Sequence, residues 1–131
     1  MTSRIGQWTL DVQDVTTMAA FWSAALGYRT EAGSDGSAKL YPPDDAGPEA
    51  LTVWLQASAG PKNGKNRNHP DLLAGPEGHQ AEVDRLIALG ARHADVGQGG
   101  DEGFTVLADP EGNEFCVLHR PDAARGSRPP A

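Results

Sequence analysis

Apolar and polar positions along this chain follow two alternating rhythms. Residues 7–13 keep a strict period of two. Trp8, Leu10 and Val12 fall on one side and Gln7, Thr9, Asp11 and Gln13 on the other, the pattern of a half-buried strand. The rhythm then lengthens. Val15, Met18, Ala19, Trp22, Ala25 and Leu26 recur at the spacing of an amphipathic helix, with Asp14 placed to cap its start and Gly27 to stop it. Residues 28–30, 38–41 and 51–56 return to strand character, separated by turns rich in glycine, proline and aspartate.

A polar, basic stretch at 60–68, broken by Gly60, Pro61 and Gly64, reads as a connector. The cycle then begins again. A strand is expected at 69–73 and a helix at about 77–89, with Val83, Leu86 and Ile87 as its apolar face and Gly90 as its stop. Strands follow at 92–96, 104–108 and 114–118. The last two flank Asp109-Pro110-Glu111-Gly112-Asn113, whose residue types predict a tight hairpin turn. A glycine-rich loop at 98–103 lacks a Gly-Lys-Ser/Thr ending or a following helix, so it reads as a flexible rim rather than a phosphate loop. The tail at 120–131 has no periodicity and is expected to be disordered.

The two cycles match in detail. Ala25-Leu26-Gly27-Tyr28-Arg29 returns 63 residues later as Ala88-Leu89-Gly90-Ala91-Arg92, at a helix end both times. Gln7 and His69 open the first strand of each cycle, 62 residues apart. Ala-Leu-Gly at a helix end is common, but shared order, spacing and element type favour a duplicated βαβββ unit over coincidence. The class is therefore α+β: two βαβββ modules, at about 5–58 and 66–119, in one domain covering 1–119.

At 131 residues the chain is large enough to bury one core. Its net charge of −7 argues against a nucleic-acid partner. No apolar run approaches a membrane span, and no basic segment precedes an apolar one at the start, so a cytoplasmic location is expected. Cys116 is the single cysteine, which excludes an intrachain disulfide and a cysteine-rich zinc site.

Strand parity selects the face turned away from the helices. It contains Gln7, Thr9 and Asp11 on the first strand and Thr52, Trp54 and Gln56 on the fourth. The fifth adds His69, Asp71 and Leu73, and the eighth Glu114, Cys116 and Leu118. Singly, each polar member suits a strand end in water. Together they point to a small-molecule site. Gln7, Thr9, Trp54, Gln56, His69, Asp71 and Cys116 are the candidate ligand-binding residues, with Trp54 suited to stacking on a flat ligand. His79, His93 and His119 read as surface residues, and Cys116 as a buried structural thiol rather than a nucleophile.

The Asp109–Asn113 turn and the stretch Asn66-Arg67-Asn68-His69-Pro70-Asp71-Leu72 resemble the vicinal-oxygen-chelate superfamily, and within it a glyoxalase-like subgroup. That superfamily includes glyoxalases, bleomycin-resistance proteins and extradiol dioxygenases. The resemblance spans residues 7–118 and implies that the two modules form a cupped eight-stranded mixed sheet with helices outside. It also implies a metal quartet drawn from the first, fourth, fifth and eighth strands, usually His or Gln, Glu, His or Gln, and Glu. The matching positions here are Gln7, Trp54 or Gln56, His69 and Cys116.

Two neutral amides and a thiol replace most of the oxygen donors that a hard divalent ion prefers. Asp11 and Asp71 are further oxygen donors if the cup is deep. Two functions from different classes therefore remain open. One is a ligand-binding or resistance-type protein with no cofactor. The other is a metal-dependent lyase or isomerase of glyoxalase type, or a dioxygenase, holding a divalent ion at Gln7, Gln56, His69 and Cys116. Closure of the cup within one chain or across a homodimer is equally open.

Overall fold

The computed structural model describes residues 2–58, 60–94 and 103–119. The tail at 120–131, most of the glycine-rich loop and the end of the expected sixth strand lie outside the described residues. The chain divides into two compact units, Met1–Lys62 and Asn63–Ala131.

The first unit runs β1 (Gln7–Val12), α1 (Val15–Leu26), β2 (Arg29–Ala32), β3 (Ala38–Tyr41) and β4 (Thr52–Ala57). Its strands hydrogen-bond in the order β1-β4-β3-β2, with β1 parallel to β4 and the other pairs antiparallel. Asp14 caps α1 as its residue type predicts: its carboxylate accepts from the Thr17 amide at 3.1 Å and from the Thr17 hydroxyl at 2.8 Å. Gly27 ends the helix in the left-handed region at φ 70°, where a Cβ is disfavoured.

The expected apolar face is the buried one. Trp22 is 1% exposed and makes edge-on contacts with Trp8 and Phe21 at 5.0 and 5.1 Å. Met18, Leu40, Val53 and Leu55 complete this core.

The second unit repeats the plan with β5 (Asp71–Leu73), α2 (His79–Leu89), β6 (Arg92–His93), β7 (Phe104–Ala108) and β8 (Glu114–Leu118). The order is β5-β8-β7-β6, again with the first and last strands parallel. The duplication extends to register. Gln7 pairs with Thr52 and Asp71 with Cys116, 45 positions apart in both modules. The eight strands are thus distributed as two four-stranded mixed sheets, each accompanied by one helix in sequence. No helix among the described residues is long and apolar enough to cross a membrane.

Several local readings shift. The fifth strand begins at Asp71, so Pro70 and His69 precede it, and α2 begins at His79 behind Gly78, which offers no side-chain cap. Val83 and Leu86 are buried as expected, but Ile87 is exposed. His79 and His119, expected at the surface, are half-buried and stack with ring centres 4.3 Å apart; His93 is exposed.

The β7–β8 turn is organised by Asp109, which is fully buried. Its carboxylate accepts from the amides of Glu111 and Asn113 at 3.0 and 2.9 Å and from the Asn113 side chain. Gly112 sits at φ 91° and donates its amide to the Asp109 carbonyl at 2.8 Å.

Two stability changes follow. Trp22→Ala empties the first core and is expected to cost about 3–5 kcal/mol in urea denaturation. Gly112→Val forces a β-branched residue into the left-handed region and is expected to cost about 1–3 kcal/mol. An unchanged melting curve for the second variant would mean that the turn tolerates a Cβ.

Candidate functional site

The sequence-selected residues fall into two groups, one in each unit. In the first, the β1/β4 ladder sets Gln7 beside Thr52, Thr9 beside Trp54 and Asp11 beside Gln56. All six share the face opposite Val53 and Leu55, as parity requires. Gln7 is half-buried, and its side-chain carbonyl accepts from the Thr52 hydroxyl at 3.0 Å. Thr9, Asp11 and Gln56 are exposed, and Asp11 accepts from Ser58 at 2.9 Å.

Trp54 is half-buried, and its indole Nε1 is shielded from solvent without a hydrogen-bond partner among the described residues. A buried donor left in that state costs about 1–3 kcal/mol.

Trp54 also lines a cavity of about 190 Å³ with Glu31, Ala32, Gly33, Ser37, Lys39 and Tyr41. The last two belong to β3, which was not among the strands searched for ligand-facing groups. Their signal was present in the sequence: Lys39 and Tyr41 alternate with the buried Ala38 and Leu40, so period-two counting carried one strand further would have found them. Lys39 stands directly between Glu31 and Trp54 in register. Arg29 and Lys39 both lie over the Tyr41 ring, at 4.6 and 5.4 Å from its centre, and Arg29 pairs with Glu31.

In the second unit, His69, Asp71 and Cys116 come together. One donor atom from each lies within 4.8 Å of the others, and His69 Nδ1 approaches Asp71 Oδ1 to 3.3 Å. Two constraints assemble the group. β5 pairs with β8 so that Asp71 faces Cys116, and the Cys116 amide donates to the Pro70 carbonyl at 3.0 Å. Just upstream, the Asn66 amide donates to the Glu114 carboxylate at 2.9 Å, and the Asn66 side chain donates to Asn113 at 3.0 Å. The two sequence motifs are therefore tied directly to each other. Glu114 is engaged in this tie.

Cys116 is 6% exposed. Burial pushes its thiol up to about 11, and the Asp71 carboxylate adds to the shift by its charge and by accepting the thiol hydrogen; Lys65 opposes it weakly. At neutral pH Cys116 is a protonated donor. The trio could hold a borderline-soft ion such as Zn²⁺ through nitrogen, oxygen and sulfur, but only after that thiol gives up its proton. It does not match the carboxylate-rich set that a hard octahedral ion requires.

The two units are βαβββ modules with equal internal registers in their parallel pairs. Residues 7–118 match the family model for the glyoxalase-like domain, and the chain belongs to that family. No curated protein matches it. Among solved structures, a glyoxalase/bleomycin resistance protein from Albidiferax ferrireducens T118 is similar, with 23% identity, a TM-score of 0.63, and coverage of 89% of this chain and 98% of that one. The fosfomycin resistance protein FosX from Mesorhizobium loti aligns at 15% identity and TM-score 0.70, covering 98% and 100% of the two chains. A variant of FosX from Listeria monocytogenes, complexed with Mn(II) and 1S,2S-dihydroxypropylphosphonic acid, aligns at 16% identity and TM-score 0.69, covering 92% of each chain. At these identities the likeness is one of fold.

The state of Cys116 is directly measurable. A shift from 9.0 to about 11 leaves about a hundredfold less thiolate at pH 7 than an ordinary cysteine, so alkylation by iodoacetamide should be correspondingly slow. Because the folded value is raised, the stabilisation is complete below about pH 9 and is lost as pH rises toward 11. Urea midpoints should fall across that window in the native protein, and less so in Cys116→Ala. Rapid alkylation of the folded protein at neutral pH would contradict this assignment.

Proposed function

We propose that this chain is a small-molecule-binding member of the glyoxalase-like family, of the ligand-binding or resistance type rather than a metal-dependent lyase, isomerase or dioxygenase. The observation that carries this reading is the residue type at Cys116. Where the resemblance implies a metal-ligating Glu on the eighth strand, this chain has a buried thiol that stands beside Asp71 across the β5/β8 pair.

The internal repeat adds support. The 62-residue offset that relates Gln7 to His69 maps the Thr9–Trp54 pair onto Asp71–Cys116, so the fourth-strand counterpart of Cys116 is an indole. Gln56, the other fourth-strand candidate, maps to Leu118. Neither module then contributes a carboxylate at that position. The ligand-facing groups are Gln7, Thr9, Trp54 and Gln56 in the first module and His69, Asp71 and Cys116 in the second.

A second reading has its own observation. The three donors of His69, Asp71 and Cys116 are close enough to share one ion, and with Zn²⁺ they would leave a fourth position open, the arrangement that suits Lewis-acid chemistry. Here the affinity would rise steeply with pH, because each ion bound displaces the thiol proton.

The two readings separate cleanly. Protein purified without chelator should contain well under one equivalent of any transition metal, and added Zn²⁺, Mn²⁺ or Ni²⁺ should neither raise its melting temperature nor create activity. A thermal-shift panel of aromatic and glycopeptide-type compounds should raise it. Stoichiometric zinc that survives dialysis and is lost in Cys116→Ser would replace the first reading with the second.

A further inference from the structure

The cavity on the first sheet has a chemical character of its own. Its lining carries Lys39 and Glu31, and Glu31 is already paired with Arg29. Among the described residues Lys39 makes no ion pair, and its ammonium rests near the Tyr41 ring at 5.4 Å from the centre. The cavity and its bordering Arg29 thus carry one excess positive charge on a chain whose net charge is −7. A local reversal of sign against the field of the whole molecule favours an anion at that place.

Two further features restrict the anion. Trp54 stands beside Lys39 in register and gives the cavity an aromatic surface. A ligand with a flat body would cover it. The volume of about 190 Å³ lies below the range of roughly 300–1,000 Å³ usual for drug-sized ligands, which limits the occupant to about one ring.

We propose that the first module binds a single-ring aromatic carboxylate in this cavity, with the carboxylate on Lys39 and the ring against Trp54. This rests on the reading of the chain as a small-molecule-binding protein and narrows the class of ligand. Glu31 sets the limit on charge. It stands beside Lys39 in register, so a monoanion is accommodated and a dianion is opposed.

Calorimetry with salicylate tests the assignment on the intact chain. Salicylate should bind saturably at millimolar concentration with one equivalent per chain. Its neutral amide should bind about tenfold more weakly, because the charge-assisted bond to Lys39 is lost. Lys39→Met should weaken salicylate by a similar factor while leaving the neutral amide unaffected. Trp54→Leu removes the aromatic surface and should weaken both compounds severalfold; circular dichroism establishes that each variant is folded. Absence of saturable salicylate binding, or binding indifferent to Lys39→Met, overturns the proposal. If a compound from the thermal-shift panel binds equally well to both variants, the general binding reading stands and this site falls.

Discussion

The second module depends on a buried negative charge. Asp109 is fully buried, and its carboxylate accepts from the turn that encloses it: the amides of Glu111 and Asn113 and the Asn113 side chain. A carboxylate in that position tolerates few backbone geometries. It fixes the turn, and the turn fixes the β7–β8 register, in which Cys116 pairs with Val106 while Phe115 and Val117 occupy the core. Asn113 then passes the constraint outward to Asn66, which positions the approach to His69. Side chains more than forty residues apart in sequence are thereby aligned through one short loop.

Much of the fold was legible because it follows from periodicity. The helix of the first module, its two caps and the burial of Trp22 were all present in the spacing of apolar residues, and the structure places them as expected. The duplication was visible as a repeated Ala-Leu-Gly and proved deeper than that. Equal registers in the two parallel pairs show that the modules share geometry even where they share few residues. The second helix was less legible. Glycine at its N-cap gave no side-chain signal, and Ile87 fitted the apolar stripe while facing water.

The site residues were legible by parity and less so by chemistry. Parity placed Trp54 and Cys116 on the face opposite each core, but could not show that the Cys116 thiol lies against a carboxylate and is held protonated by it. That depends on desolvation and on a partner across the sheet, which no local pattern records. Lys39 and Tyr41 were missed for a simpler reason. The resemblance directs attention to the first and last strands of each module, and these residues lie on the strand between. The two modules have also diverged in chemistry on a common frame: one presents a hydroxyl and an indole where the other presents a carboxylate and a thiol.

The parallel pairs have a further consequence, for the order in which the structure forms. Each joins residues 45 positions apart, whereas the β7–β8 hairpin closes over a few residues. Loop-closure entropy lets the hairpin form early and makes the parallel strand a late arrival. In the second module that arrival is β5, three residues long and without a fully buried side chain. It has little apolar contact to hold it once in place, so it detaches more cheaply than β7 or β8 under native conditions, an ordering that amide hydrogen exchange would register. His69 and Asp71 therefore travel with a short, weakly anchored edge strand, while Cys116 belongs to a strand paired on both sides.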